Sequence, residues 1–206
     1  MALPLDRSIG QYHKCHMNTH DTKTAILNAT ITLLGREGAD GFSAAALAKE
    51  VGVSKATIFH HFQTIDEIPI AALDLLTSQA MDLDLPEKAG LPEFLAAMGD
   101  MAFGFLEERR NFLNAFYTFV SKAMFDPRLK QKLQVSLNGA RAQVRQMFSV
   151  YIKDETRARD FANMVMVLLD GGMMYVLLLD NKAEIRAMWD RFTILLIKEF
   201  ENENSN

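Results

Sequence analysis

The 206-residue sequence predicts an all-α protein of about nine helices, a small N-terminal three-helix unit followed by a larger helical bundle. Three observations predict it. Apolar residues recur at three- and four-residue spacing along most of the chain. Helix caps and helix breakers punctuate that pattern at short intervals. Nothing after residue 62 alternates in the way a strand does.

Residues 1–20, MALPLDRSIGQYHKCHMNTH, lack periodicity and read as a flexible arm. His13, Cys15, His16 and His20 fit no standard zinc spacing, so no metal site is expected there. Met17 offers an alternative start. The first helix spans residues 22–37, with Ile26, Ala29, Thr30, Leu33 and Leu34 forming one apolar stripe. Gly38 and Gly41 flank its exit. Ser43 caps a second helix, Ala44 to Val51, with Phe42 and Leu47 placed as a hydrophobic staple. Gly52 closes it, because glycine tolerates the left-handed conformation that ends a helix. Ser54 caps the third helix, Lys55 to Phe62, and Val53 staples to Ile58. Thr64 and Glu67 have the spacing of a capping box for a fourth helix running to about Met81. Pro69 would fall at the fifth position of that helix, which is then kinked at its start or begins afresh at Pro69.

Residues 82–90, with Pro86 and Gly90, read as a loop. Pro92 suits the first turn of a fifth helix reaching Arg109, with Phe94, Met98, Met101, Ala102 and Phe105 along one side. Asn111 is the expected cap of a sixth helix to Met124, dense in Phe112, Phe116, Tyr117 and Phe119. Asp126–Pro127 turns into a seventh, Arg128 to Lys153. The eighth, Thr156 to Leu179, is apolar nearly all round. The ninth runs from Ala183 to about Glu203, and the terminal ENENSN is a frayed tail.

Helix, short turn, helix over residues 42–67 is the plan of a helix-turn-helix, whose second helix enters the DNA major groove with its leading residues at base edges. Those residues are Lys55, Ala56 and Thr57, while Ile58 and Phe62 face inward. Ser43 and Ser54 can offer hydroxyls and backbone N–H groups to phosphates. Lys55 can reach a guanine edge or a phosphate, and Thr57 a thymine methyl. Phe59, His60, His61 and Thr64 complete the candidate DNA surface, with His60 exposed and His61 partly buried.

The run GVSKATIFHHF resembles the signature of the tetracycline-repressor (TetR) family of transcriptional regulators, and Thr22 to Phe62 matches the family's DNA-binding region throughout. The likeness covers about a fifth of the chain with a specific motif; the remainder matches in length and helical character. Ala56 stands where the family has a small residue. Phe59 stands where the family often has Tyr, and Ile65 where it often has Lys, so a phenol and a cation for phosphate are missing. The resemblance implies a DNA-binding head at residues 21–68, a ligand-binding and dimerisation bundle at 69–206, an arm reaching the minor groove, and a two-fold operator bound by a homodimer.

Composition sets the other bounds. At 49% hydrophobic and 23% charged, the balance is that of a soluble globular protein. A lone cysteine fits a reducing, cytoplasmic setting, and residues 1–20 lack the apolar core of a signal peptide. The longest apolar stretch, Phe161 to Leu179, is broken by Asn163, Asp170 and a Gly-Gly pair, which reads as a buried interface helix and not a membrane span. The net charge is −4, and residues 21–68 hold four cations against six carboxylates. An acidic head predicts modest DNA affinity and a shallow dependence on salt.

The eighth helix has more apolar surface than one-sided packing uses, and Gly171–Gly172 permits close approach of a second backbone. A homodimer joined through the eighth and ninth helices, with Gly171, Gly172, Tyr175, Trp189 and Phe192 at the contact, is the expected solution. With 14 Phe and 12 Met, many in the fifth to eighth helices, the bundle also suits a pocket for a small apolar or amphipathic effector. Its candidate lining is Phe105, Phe116, Tyr117, Met147, Tyr151 and Asp170. Asp170 draws notice because a carboxylate in an apolar helix needs a partner. No HExxH, phosphate loop, GxSxG or ordered Cys–His pair is present, so no enzyme and no cofactor is expected. The function expected is a ligand-responsive dimeric repressor. The alternative is a helical adaptor that keeps this fold without strong DNA binding.

Overall fold

The structure is a computed structural model, and it describes residues 19–80 and 90–204. These form α1 (Thr19–Glu37), α2 (Ala44–Val51), α3 (Lys55–His61), α4 (Glu67–Ala80), α5 (Leu91–Glu108), α6 (Arg110–Ala123), α7 (Pro127–Phe148), α8 (Glu155–Leu179) and α9 (Lys182–Asn204), with no strand among the described residues. The readings of the arm and of the loop after α4 fall mostly outside them.

The three N-terminal helices close on a small core. Ile26 and Leu33 of α1, Leu47 and Ala48 of α2, Ile58 of α3, then Phe62 and Ile68, are buried against one another. The caps fix the chain's entry into each helix. Ser43 Oγ accepts from the Ala46 N–H at 3.1 Å, and Ser54 Oγ accepts from the Thr57 N–H at 3.1 Å. Gly52 sits at φ 76°, where an L side chain would be strained, and its N–H returns to the Ala48 carbonyl.

Four local expectations are corrected. First, α3 stops at His61, and Phe62 turns extended, which drives its ring into the core at 6% exposure. Second, α4 starts at Glu67 and not behind a Thr64 cap; the Glu67 carboxylate accepts the Gln63 N–H at 3.1 Å. Pro69 is then within the first turn, where an N–H has no helical acceptor to lose, so neither a kink nor a fresh start is needed. Third, Asn111 is not a cap: Arg109 (φ −132°, ψ 39°) separates α5 from α6, and α6 is under way at Arg110. Fourth, α7 ends at Phe148 and not at Lys153, because the chain turns through residues 149–153 before Asp154 caps α8 from its side chain.

Two further cores build the bundle. One joins α1, α4, α6 and α7 through Ile31, Leu34, Leu73, Leu76, Phe119 and Leu133. The other joins α5, α7, α8 and α9 through Phe94, Leu95, Phe148, Phe161, Val165 and Trp189. Each fully buried Leu, Ile or Phe is worth about 1.5–3 kcal/mol relative to exposure, so the bundle carries most of the stability. The small head leans on it through α1 and α6. Asn114 Nδ2 donates to the Gly35 carbonyl and Thr118 Oγ1 to the Leu34 carbonyl, both at 3.3 Å. A Cβ at Gly35 would stand 2.0 Å from the Asn111 carbonyl oxygen, so only glycine lets the two backbones meet there. An Asp74–Lys132 ion pair adds a tie between α4 and α7.

Candidate functional site

Three features of this architecture bear on function: the tip of α3, a cavity inside the bundle, and an uncovered apolar face.

The α3 tip is polar and open. Lys55 and Ala56 are exposed, and Thr57 is half-buried with its hydroxyl 2.9 Å from Ser54 Oγ. Ile58, fully buried, anchors the other side. Ser43, His60, Thr64 and Phe59, the last 46% exposed, share the same outer surface. His61 is half-buried; desolvation, with His60 and Lys23 nearby, pushes its imidazole below the ordinary value, so it is neutral at pH 7. The head's cations are partly engaged. Arg36 grips Glu50 with both amino groups, at 2.9 and 3.2 Å, and also bonds Glu37 at 2.8 Å. Lys23 lies 5.5 Å from the centre of the Phe62 ring. Lys55 is the one Lys or Arg on α3.

Between α4, α5, α6, α7 and α8 lies a cavity of about 270 Å³, at the small end for small-molecule sites. Of the six residues expected to line it, Phe105, Phe116, Tyr117 and Asp170 do. Met147 and Tyr151 do not. They pack onto the α5–α9 core instead, the Tyr151 ring 5.3 Å from that of Phe94. The sequence reading missed Phe112, Leu113, Met98, Met166 and Met173, all of which line the cavity. Phe112 stands one turn before Phe116 on α6, a spacing that marks a shared face. The remainder could be assigned only once the packing of five helices was known. Phe105 and Phe112 meet edge to face at 5.1 Å. Tyr117 Oη donates to the Asp170 backbone carbonyl at 2.6 Å, pinning α6 to α8, and burial pushes its phenol well above the usual value.

The apolar face runs along α8 and α9. Val167, Tyr175, Leu178, Leu179, Ile194 and Leu195 are each at least half exposed. Met164, Val167, Gly171, Tyr175 and Phe192 border a groove between the two helices. Two residues expected at a dimer contact behave otherwise. Trp189 is 2% exposed and packs inside its own chain, where a Cβ on Gly99 of α5 would come within 2.2 Å of its indole nitrogen. Gly172 faces Ile185 of α9, whose methyl would lie 2.9 Å from an added Cβ. Its small size serves the α8–α9 contact within the chain. Gly171 has open space beside it. Among the described residues α8 is long and apolar enough to cross a membrane by length and composition, with only 28% of its most apolar window buried.

Comparison with known proteins adds to this geometry. Residues 26–72 match the family described as bacterial regulatory proteins, tetR family. No curated protein matches the chain. Solved structures share the whole architecture. A transcriptional regulator from Rhodococcus sp. Rha1 is 19% identical with a TM-score of 0.76, over 86% of this chain and 96% of that one. A TetR transcription regulator from Haloarcula marismortui is 19% identical with a TM-score of 0.73, over 85% and 98%. A putative transcriptional regulator from Saccharomonospora viridis, solved in complex with choline, is 18% identical with a TM-score of 0.72, over 84% and 95%. At such identities the likeness is one of fold. The head matches the TetR DNA-binding region, and the chain has the fold of TetR-family transcriptional regulators.

Proposed function

We propose that this protein is a cytoplasmic, DNA-binding repressor that grips a two-fold operator as a homodimer and answers to a small apolar or amphipathic effector. The carrying observation is the α3 tip: Lys55, Ala56 and Thr57 stand clear of the protein while Ile58 and Phe62 lock the helix from behind. A short helix anchored by its far side and polar at its leading end is shaped for a major groove. In this reading residues 21–68 form the head and 69–206 the body. Ser43, Ser54, Phe59, His60, His61 and Thr64 are the remaining candidates at the duplex.

The reading of a dimer rests on the α8–α9 face. Apolar side chains exposed in one continuous strip lose about 25 cal/mol per Å² of favourable burial unless something covers them. A second copy covers them by two-fold symmetry and sets the distance between two α3 tips. A membrane is a poorer cover, because the other side of α8, at Ala158, Phe161, Val165 and Val176, is already packed on its own chain. The effector reading rests on the cavity and is consistent with a neighbour of the same fold that holds choline.

Selection of duplexes from a random pool tests the function. The wild type enriches a two-fold motif at low salt, and Lys55→Ala and Thr57→Ala weaken the enrichment. An unenriched pool at low salt overturns the reading and favours an adaptor. The dimer has its own test. Gly171→Asp, at a position with room for a side chain, yields monomer in sedimentation; an unchanged dimer moves the interface elsewhere.

A further inference from the structure

The cavity has one feature that an apolar effector leaves unused. Its walls are mostly hydrocarbon, with Thr77, Ser136 and Gln143 among them, and among the described residues Asp170 is the single formally charged one lining it. The Asp170 carboxylate makes no hydrogen bond or ion pair within the described residues; only its backbone carbonyl is engaged, by Tyr117. A carboxylate at the edge of an apolar chamber is free to pair with a cation that enters it. Asp170 is an exposed residue at the open side of the cavity, where the surrounding hydrocarbon still holds its carboxyl above the ordinary range and Arg141 on α7 pulls the other way without forming an ion pair. Nothing in the packing requires an acid at this place: the Asp170 side chain supports no cap and no turn of α8, a helix that runs unbroken to Leu179.

The same cavity contains four aromatic rings, Phe105, Phe112, Phe116 and Tyr117, and the Tyr117 hydroxyl sits at the Asp170 backbone. Ring faces attract cations, most strongly where water is excluded. Phe105 already carries the Arg109 guanidinium 5.4 Å from its centre on one side. Methionines Met98, Met101, Met166 and Met173 supply an adaptable apolar wall. An unpaired acid and several aromatic faces around a hydrocarbon chamber are complementary to one class of molecule.

Building on the effector reading above, we propose that the cavity selects organic monocations with an apolar body, the cationic centre seated between Asp170 and the α6 aromatic rings and the body among the methionines. A neutral molecule of the same shape forfeits the charge pairing, and an anion meets Asp170 as a like charge. Asp170 is thus the determinant of charge selectivity, and the hydrocarbon walls fix size.

Calorimetry on the full-length protein tests this with three probes of one shape: 4-phenylbutyltrimethylammonium, its uncharged carbon isostere, and 5-phenylvalerate. The wild type binds the cation at least about tenfold more tightly than either other probe, the scale of one partly desolvated cation–π contact or charge pair. Asp170→Asn removes that preference while leaving the neutral probe's affinity within about twofold, and Asp170→Glu restores it. Equal or tighter binding of the neutral probe or the anion by the wild type overturns the proposal but leaves the effector cavity standing. Failure of all three probes, together with failure of the uncharged dye Nile red to bind in a manner blocked by Ala140→Trp, overturns both. A preference that survives Asp170→Asn also overturns it, by assigning the selectivity to the rings alone.

Discussion

The head and the body solve opposite problems with the same element. In the head, α1 and the two short helices α2 and α3 bury almost every large apolar residue they own and expose polar ends; Phe59 is the large apolar exception, at 46% exposure. In the body, long helices leave a chamber inside and a strip of Val, Leu, Ile, Met and Tyr outside. The head is closed and complete in its side chains but too small to stand on its core alone. The body has surplus burial on one side and unfilled space in the middle. The difference teaches where the partners go. In the proposed reading the closed head offers its polar tip to a polar polymer, and the unclosed body takes a guest with an apolar body within and an apolar copy without.

The largest expected effect breaks the closed core of the head. Ile58 is fully buried, so Ile58→Ala costs about 2–5 kcal/mol at that site. Hydrogen exchange should show α2 and α3 losing protection while α8 and α9 keep theirs. Uniform loss in both regions would mean that head and body unfold as one unit. A smaller effect probes the joint between them. Gly35→Ala drives a methyl into the Asn111 carbonyl, and because backbone cannot swing aside, the variant loses about 1–3 kcal/mol. Its melting temperature falls, and protection is lost on both α1 and α6. An unchanged melting temperature would show that the two helices separate freely. The smallest effect on stability falls on the surface. Glu50→Gln leaves stability nearly unchanged, since the Arg36–Glu50 pair is solvent-exposed. It loosens the hold on Arg36, which keeps its bond to Glu37, and removes a negative charge from an acidic head. Affinity for a selected duplex rises and its salt slope steepens; an unchanged slope would place Arg36 away from the phosphates.

The same contrast governs what could be read before folding. The head's signals are local: Ser43, Gly52 and Ser54 act on residues three or four away, so α2 starts and stops, and α3 starts, where those three letters say. Misreadings there were also local. Thr64 looked like a cap because Glu67 had the right spacing, yet the carboxylate reaches the Gln63 N–H instead. In the body the decisive facts are distances between helices. Trp189 on α9 read as a surface residue of a two-fold contact, but it fills the space opened by Gly99, ninety positions earlier. Met147 and Tyr151 have the composition of pocket residues and fall on a face of α7 and its exit that packs on α5. Asp170, Phe105, Phe116 and Tyr117 were legible because a carboxylate inside an apolar helix and dense aromatics are conspicuous without knowing their neighbours. The chamber they share with Phe112 and Met173 was not, since a void has no sequence signature.

The central claim is that two α3 tips, held apart by a paired α8–α9 face, meet one duplex together. A hydroxyl-radical footprint on the most enriched duplex tests it directly. The account predicts two protected patches related by a dyad and separated by about one helical turn, roughly 34 Å, or a multiple of it. Both should fade together in the Gly171→Asp protein. A single patch, or two patches that persist when the protein is monomeric, would contradict it.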